Sequence, residues 1–293
     1  MTLIGAEPTD RAADGIPAAD AVMARAQTEN FPVASHFLPR RARGDLLAIY
    51  GFARLVDELG DTVAGDRLAA LDWLEAELDR AFAGSARHPL LVRLQPTLRE
   101  RHLTREPFVR LIEANRVDQR VERYATWEQL RAYCTLSANP VGELVLAVLG
   151  LATPARVALS DSICTGLQLI EHCQDVAEDL RAGRVYLPAE DLARFGCSEE
   201  QLGRAHAEAP LRHVLAFEVE RARELFDTGA PLIGQVHGRA RLALAGFLGG
   251  GRATAAAIER AGYDVLAGPP RAGRARLLAA IATTLAGRLG SGR

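Results

Sequence analysis

Apolar positions recur every three or four residues along most of the chain, the spacing of helices that bury one face. Leu68, Leu71, Leu74, Leu78 and Phe82 form the plainest stripe of this kind. The pattern predicts helices over about residues 18–29, 43–64, 66–83, 88–102, 105–122, 127–150, 155–182, 199–208, 211–235, 238–263 and 273–289. Thr126-Trp-Glu-Gln129 and Ser198-Glu-Glu-Gln201 carry the capping-box spacing and each opens a helix. Pro140 falls inside the 127–150 helix and should kink it, because it has no N–H to offer the carbonyl of Leu136. Residues 183–196 (G-R-V-Y-L-P-A-E-D-L-A-R-F-G) read as the only sizeable loop. Residues 1–17, rich in Ala, Asp, Gly and Pro, read as a loose arm. No compositional break divides the remainder, so residues 18–290 are read as one all-α domain.

Composition agrees with helix. Of 293 residues, 48 % are hydrophobic and only 5 % aromatic, and β-branched residues are sparse beside Ala, Leu, Arg and Glu. A net charge of −2 gives no reason to expect a nucleic-acid partner. All 35 basic residues are Arg, which excludes Schiff-base and P-loop lysine chemistry. Phosphate recognition then falls to Arg forks, backbone N–H groups or metal. Cys134, Cys164, Cys173 and Cys197 form no C-x-x-C pair and read as buried thiols of a reducing cytoplasm.

The opening M-T-L-I-G-A-E-P-T-D has neither a charged start nor a long apolar core, so no signal peptide is expected. The longest apolar stretch, Leu144–Ala152, is far short of the roughly 20 residues of a membrane span. A cytoplasmic protein is expected, with peripheral contact at the inner membrane surface open to it through L277-L-A-A-I-A-T-T-L-A-G-R288. The alternative for that stretch is a packed terminal helix.

Chemistry enters with the carboxylates. Asp57 and Asp61 in D-E-L-G-D, and Asp175 and Asp179 in D-V-A-E-D, stand at i and i+4 on one face of their helices. With 16 Asp in the chain, chance alone supplies about one such pair, and Asp10 with Asp14 is an example. Context separates the other two, because strongly apolar flanks (A-I-Y-G-F-A-R-L-V and I-C-T-G-L-Q-L-I) turn them toward a bundle interior. Like charges placed there call for a hard divalent ion with oxygen ligands, and Mg²⁺ with a substrate diphosphate suits them. The alternative is two solvated acidic helix faces. None of the seven His has a Glu three residues before it, and His-Glu-x-x-His is absent, so di-iron and zinc-protease readings find no support. Tyr50 and Arg54 share the stripe of Asp57, where they either bind the diphosphate or form a structural Arg–Asp pair. Arg184 and Tyr186 offer a similar donor group after the second cluster, or else a capping turn.

Y50-G-F-A-R-L-V-D-E-L-G-D61, together with Q168-L-I-E-H-C-Q-D-V-A-E-D179 and G183-R-V-Y-L-P188, resembles the squalene/phytoene synthase family. E29-N-F-P-V-A-S35, Y133-C-T-L-S-A-N-P-V-G142, G249-G-G-R252 and G262-Y-D-V-L266 support the resemblance over residues 25–266. Within the family the chain looks most like the hydroxysqualene synthase branch of bacterial hopanoid pathways. The resemblance implies an all-α isoprenoid-synthase bundle around a central apolar cavity. It further implies that Asp57, Asp61, Asp175 and Asp179 bind diphosphate through Mg²⁺, with Tyr50, Arg54, Gln168, Arg184 and Tyr186 contacting substrate.

Three departures from condensing members stand out. Glu171 replaces a metal-ligating Asn and adds a negative charge. Gln174 replaces an Arg that grips diphosphate. Leu136 and Asn139 stand where a Tyr and a Gly are usual. Loss of the cation and the phenol argues for a substrate already joined. The expected reaction is Mg²⁺-dependent ionisation of presqualene diphosphate with capture by water, giving hydroxysqualene. Ser137, Asn139 and the Leu136 carbonyl near Pro140 are the groups expected to place that water. No dinucleotide fingerprint is visible, so a separate reductase and a separate condensing synthase are implied as pathway partners. The rival readings are a condensing synthase acting on two prenyl diphosphates and a non-catalytic helical scaffold, which would have no need of both acidic clusters.

Overall fold

The computed structural model describes residues 16–24 and 38–287. Among them the regular elements are all helices: α1 (Ala19–Ala24), α2 (Arg40–Asp61), α3 (Arg67–Phe82), α4 (Pro89–Glu100), α5 (Glu106–Asp118), α6 (Trp127–Ser137), α7 (Asn139–Val148), α8 (Pro154–Gln174), α9 (Val176–Arg181), α10 (Ala189–Arg194), α11 (Glu199–Leu202), α12 (Ala209–Gly229), α13 (Pro231–Gly234), α14 (Gly238–Arg260) and α15 (Arg274–Leu285). An isolated bridge between Arg123 and Val185 is the one strand-like contact among these residues, so the all-α expectation holds. Residues 1–15, the end of the 18–29 helix and the E29–S35 motif lie outside the described residues. The described residues group into two compact units, 16–24 with 39–120, and Leu38 with 121–287.

In the first unit, α3 starts where the Asp66 carboxylate accepts the Ala69 N–H at 3.0 Å. Leu71, Leu74 and Leu78 of its stripe are fully buried. Phe82, expected on the same face, is 37 % exposed, because it ends the helix and only edges against Phe108. Phe52 and Phe108 meet edge to face at 5.1 Å in the core. Glu77 is fully buried and accepts the N–H groups of Arg87 and His88 and the Arg80 guanidinium, which ties down the α3–α4 connection.

In the second unit, α8 packs along α12 and against α7, while α15 packs on α14. Several predicted helices are divided. The 127–150 helix breaks outright at Ala138 (φ −108°, ψ −46°), so Pro140 opens α7 rather than kinking one helix. The 155–182 helix is interrupted at Asp175 (φ −99°, ψ 14°), a residue type poor inside helices and good at their starts. The 183–196 loop contains α10, whose first turn carries Glu190 and Asp191 against the helix dipole. The 199–208 helix shrinks to one turn, since Asp264 accepts the Ala207 N–H at 2.8 Å and draws the chain away. Pro231 separates α12 from α13.

The capping box at Ser198 forms. At Thr126 only half of it does, with Gln129 accepting instead from Ala125 N–H at 2.9 Å. The terminal stretch is a packed helix with Ile281 and Thr284 buried, although Leu278 is 65 % exposed. Among the described residues no helix is long and apolar enough to cross a membrane.

Candidate active site

The two acidic motifs belong to different units, and each is built by its own helices. In the first, α2 carries Tyr50, Arg54, Asp57 and Asp61 on successive turns. The Arg54 guanidinium lies 3.6 Å from Asp57 Oδ2 and 3.7 Å from Glu58 Oε1. The structural Arg–Asp pair is therefore present, and it extends to a third carboxylate that the spacing argument did not single out. Glu58 is buried, and the Thr62 hydroxyl donates to its Oε2 at 2.6 Å. Asp57 is half exposed and Asp61 exposed at the helix end, where the Asp61 carbonyl accepts from Arg67 Nη2 at 2.8 Å.

Gly60 makes this end possible. A Cβ there would sit 2.0 Å from Asn115 Oδ1 and 3.1 Å from Asn115 Cβ. Gln119 Nε2 bonds the Gly60 carbonyl at 2.9 Å, which fastens the same turn to α5. Gly60→Ala is expected to destabilise the protein by about 1–3 kcal/mol through overpacking. A urea midpoint unchanged from wild type would contradict this close approach.

The second motif spans the α8–α9 junction. The Asp175 carbonyl accepts the Glu178 and Asp179 N–H groups, both at 2.8 Å, so the two Asp stay one turn apart although the helix is interrupted. Burial, and then the neighbouring Glu178, raises the Asp175 carboxyl above its usual range, while Arg271 opposes the rise. Asp179 is pushed up to about 7 by burial first, then by Asp175, Glu171 and Glu178, against the pull of Arg184. Asp175 and Asp179 thus carry charge that burial and neighbouring carboxylates disfavour, and a hard dication would relieve it. Among the described residues no three His, Cys, Asp or Glu side chains already form a metal-holding group. Mg²⁺ fits such an open arrangement, since it takes one or two carboxylates and completes its shell with water and substrate phosphate.

After α9 the chain turns at Gly183 (φ +85°), with Gly183 N–H on the Leu180 carbonyl and Arg184 N–H on the Asp179 carbonyl. The expected capping turn is thus real, and it delivers Arg184 and Tyr186 beside the acidic cluster. Val185 and Ala189 N–H groups then bond the Glu122 and Tyr124 carbonyls at 2.9 Å each. Tyr186 is buried and stacks on His172 (4.0 Å) and on Tyr124 (5.8 Å). His172, Val176, Asp179 and Tyr186, among others, close around a crevice too narrow to admit a water molecule. Gln168 meets His172, and Gln174 donates from Nε2 to the Pro270 carbonyl at 2.6 Å.

His172 and Arg271 were missed by spacing alone. His172 sits on the buried stripe with Leu169 and Val176, a signal that was legible. Arg271 lies 96 residues beyond Asp175, and nothing local announces it.

Asn139 is buried at the α6–α7 break, and its Oδ1 accepts from Thr165 Oγ1 at 3.0 Å. Ser137 Oγ is buried without a hydrogen-bond partner among the described residues. The four cysteines are unpaired; Cys134, Cys173 and Cys197 are buried and Cys164 partly so. Burial pushes the thiols of Cys134 and Cys164 up to about 12, which makes them unreactive.

Residues 24–279 match the family model described as squalene/phytoene synthase. A hydroxysqualene synthase of Sinorhizobium fredii is 38 % identical over 212 residues, 71 % of each chain. A 15-cis-phytoene synthase of Synechococcus elongatus is 33 % identical over 253 residues, 81 % of this chain and 82 % of the relative. The crystal structure of squalene synthase HpnC from Alicyclobacillus acidocaldarius superimposes with a TM-score of 0.78 at 47 % identity, covering 84 % of this chain and 93 % of that one. A chain that carries both acidic motifs on helices and is matched over this length belongs to the squalene/phytoene synthase family of prenyl-diphosphate enzymes.

Proposed function

We propose that this enzyme ionises presqualene diphosphate and captures the rearranged carbocation with water, releasing hydroxysqualene and diphosphate. The carbon–oxygen bond to diphosphate breaks and its electron pair leaves with the diphosphate. Water forms the new carbon–oxygen bond and loses a proton to solvent. The observation that carries this reading over condensation is Gln174. Condensing members usually place a cation at this position; here a neutral amide stands, and it is spent on the Pro270 carbonyl. A second diphosphate would find no charge there to hold it. The hydroxysqualene synthase among the relatives supports the same choice.

Asp57 and Asp61 form one set of residues that would hold Mg²⁺, and Glu171, Asp175 and Asp179 form another. When bound, the ion neutralises the charge that develops on the leaving diphosphate. Arg54 and Arg184 donate to phosphate oxygens and favour departure electrostatically. Tyr50, Tyr186 and Gln168 orient the ester. An apolar surround keeps water from the cation until it has rearranged, and Ser137 with Asn139 places the water that finally attacks. By this chemistry a condensing enzyme supplies the substrate and a reductase consumes the alcohol.

Purified protein with Mg²⁺ and presqualene diphosphate should yield hydroxysqualene by mass spectrometry, and farnesyl diphosphate alone should be recovered unchanged. A C30 product or presqualene diphosphate from the farnesyl reaction would overturn the reading in favour of condensation.

A further inference from the structure

One ring lies between two of the residues given to the substrate. His172, on α8, is 6 % exposed and stacks on Tyr186 with centroids 4.0 Å apart and planes within 12°. Its Nε2 is 3.3 Å from the amide nitrogen of Gln168, one turn earlier. An amide nitrogen only donates, so Nε2 accepts and the ring proton resides on Nδ1. That Nδ1 lies 3.9 Å from Asp179 Oδ2. Tyr124 stacks on Tyr186 at 5.8 Å with planes 20° apart, and Tyr133 lies 5.7 Å from the Tyr186 ring. The imidazole therefore belongs to a packed aromatic group that cannot turn freely, and its one acceptor edge faces Gln168.

We propose that His172 is a positioning residue that fixes the amide of Gln168 and the ring plane of Tyr186 for contact with the diphosphate ester. The inference rests on the reading of those two residues as substrate contacts. A glutamine side chain has three rotatable bonds, and unanchored it spreads its amide over many places. Hydrogen-bonded to a ring that is itself stacked, it is preset before substrate arrives, which is where orientation gains rate and affinity. Tyr186 receives the same service through its face. Neither duty requires His172 to touch substrate or to change protonation.

Two replacements separate the duties. His172→Phe keeps a stacking ring and removes the acceptor; His172→Gln keeps an acceptor near the Nε2 position and removes the stack. Steady-state kinetics with Mg²⁺ and presqualene diphosphate are to be measured for both, for Gln168→Leu and for the two double variants, with thermal midpoints alongside. H172F is expected to raise KM about 5- to 20-fold with kcat changed less than about 3-fold, and the double variant should be no worse than Q168L alone. H172Q should recover part of that KM. Without any turnover, H172Q but not H172F should lose near-UV tyrosine dichroism, and H172F should weaken binding of Mg²⁺–diphosphate in calorimetry.

Folded H172F with wild-type KM, beside an impaired Q168L, overturns the inference and leaves the substrate reading standing. An unimpaired Q168L overturns the substrate reading and the inference with it. Should H172F fail to fold, His172→Leu, which also removes the acceptor, takes its place beside Q168L, and fold-changes that simply multiply count against the proposal.

Discussion

Asp179→Asn is expected to stop turnover while making the metal-free protein more stable. The carboxylate is largely buried, with 22 % of its side chain exposed, and it stands among Asp175, Glu171 and Glu178. Folding thus confines a charge beside like charges, with Arg184 as partial relief. An amide of the same shape removes that repulsion, and a gain of about 1–3 kcal/mol in the absence of Mg²⁺ is expected. Activity should move the other way. A group that holds the ion on the leaving diphosphate acts where charge develops, and its loss should lower kcat/KM by roughly 10²–10³-fold or more. Opposite signs in the two measurements distinguish a site built at the expense of stability from a carboxylate that merely braces the fold. Equal loss of both, by urea denaturation and by turnover, would assign Asp179 a structural role. Asp175→Asn should behave alike but more weakly in stability, since one neighbouring carboxylate, Glu178, opposes its charge where three oppose that of Asp179.

Most helices were legible because their reporter is local. The Leu71, Leu74 and Leu78 stripe and the caps at Thr126 and Ser198 each act within a turn or two, and apolar period and capping-box spacing find them. The family motifs extended that legibility to the fold as a whole. What failed was continuity. Apolar spacing runs unbroken through Asp175 and Ala138, and a period carries no mark of the backbone turning aside for one residue. α10 was hidden by the opposite error, because its short A-E-D-L-A-R run reads as loop until Asp191 finds Arg221 on α12. That partner lies 30 residues away, and tertiary contact rather than propensity holds so short a helix. The single turn α11 is cut short for a similar reason, because Ala207 bonds Asp264, 57 residues beyond it.

At the site, residue types were easier to find than arrangements. The carboxylates, Arg54, Arg184 and Tyr186 announce themselves by type and spacing. That Glu58 joins Arg54, that Gln174 is spent on Pro270 and that Arg271 attends Asp175 all depend on where the chain returns. His172 falls between these cases. Its place on a buried stripe was readable, but the bland expectation for a scattered histidine, a satisfied core group, describes only half of what its ring touches.

The last large effect concerns a cluster that no motif signals. Arg221 Nη1 lies 2.7 Å from both oxygens of Glu218 and 2.9 Å from Asp191 Oδ2, with the guanidinium over Trp127 at 4.7 Å. Glu218 is fully buried and Asp191 nearly so, leaving two acids to one cation. Burial, outweighing Arg221, pushes Glu218 up to about 8, with Asp191 adding to the rise. At pH 6 Glu218 therefore holds its proton. A carboxyl raised on folding contributes stability that is fully present below its unfolded pKa and is lost as pH climbs through the folded value. Wild-type stability from this group should thus fall between about pH 5 and pH 9, by a few kcal/mol at most. Glu218→Gln should match wild type only below about pH 4.5, exceed it already at pH 6 and exceed it most at pH 9. Arg221→Met removes the cation from both acids and is expected to cost about 3–5 kcal/mol, the larger share at high pH. Guanidinium unfolding at pH 6 and pH 9 checks all three proteins. A wild-type minus E218Q difference that does not grow with pH would mean Glu218 is already ionised in the fold. The brace on α10 would then be a full ion triad rather than a proton-held one.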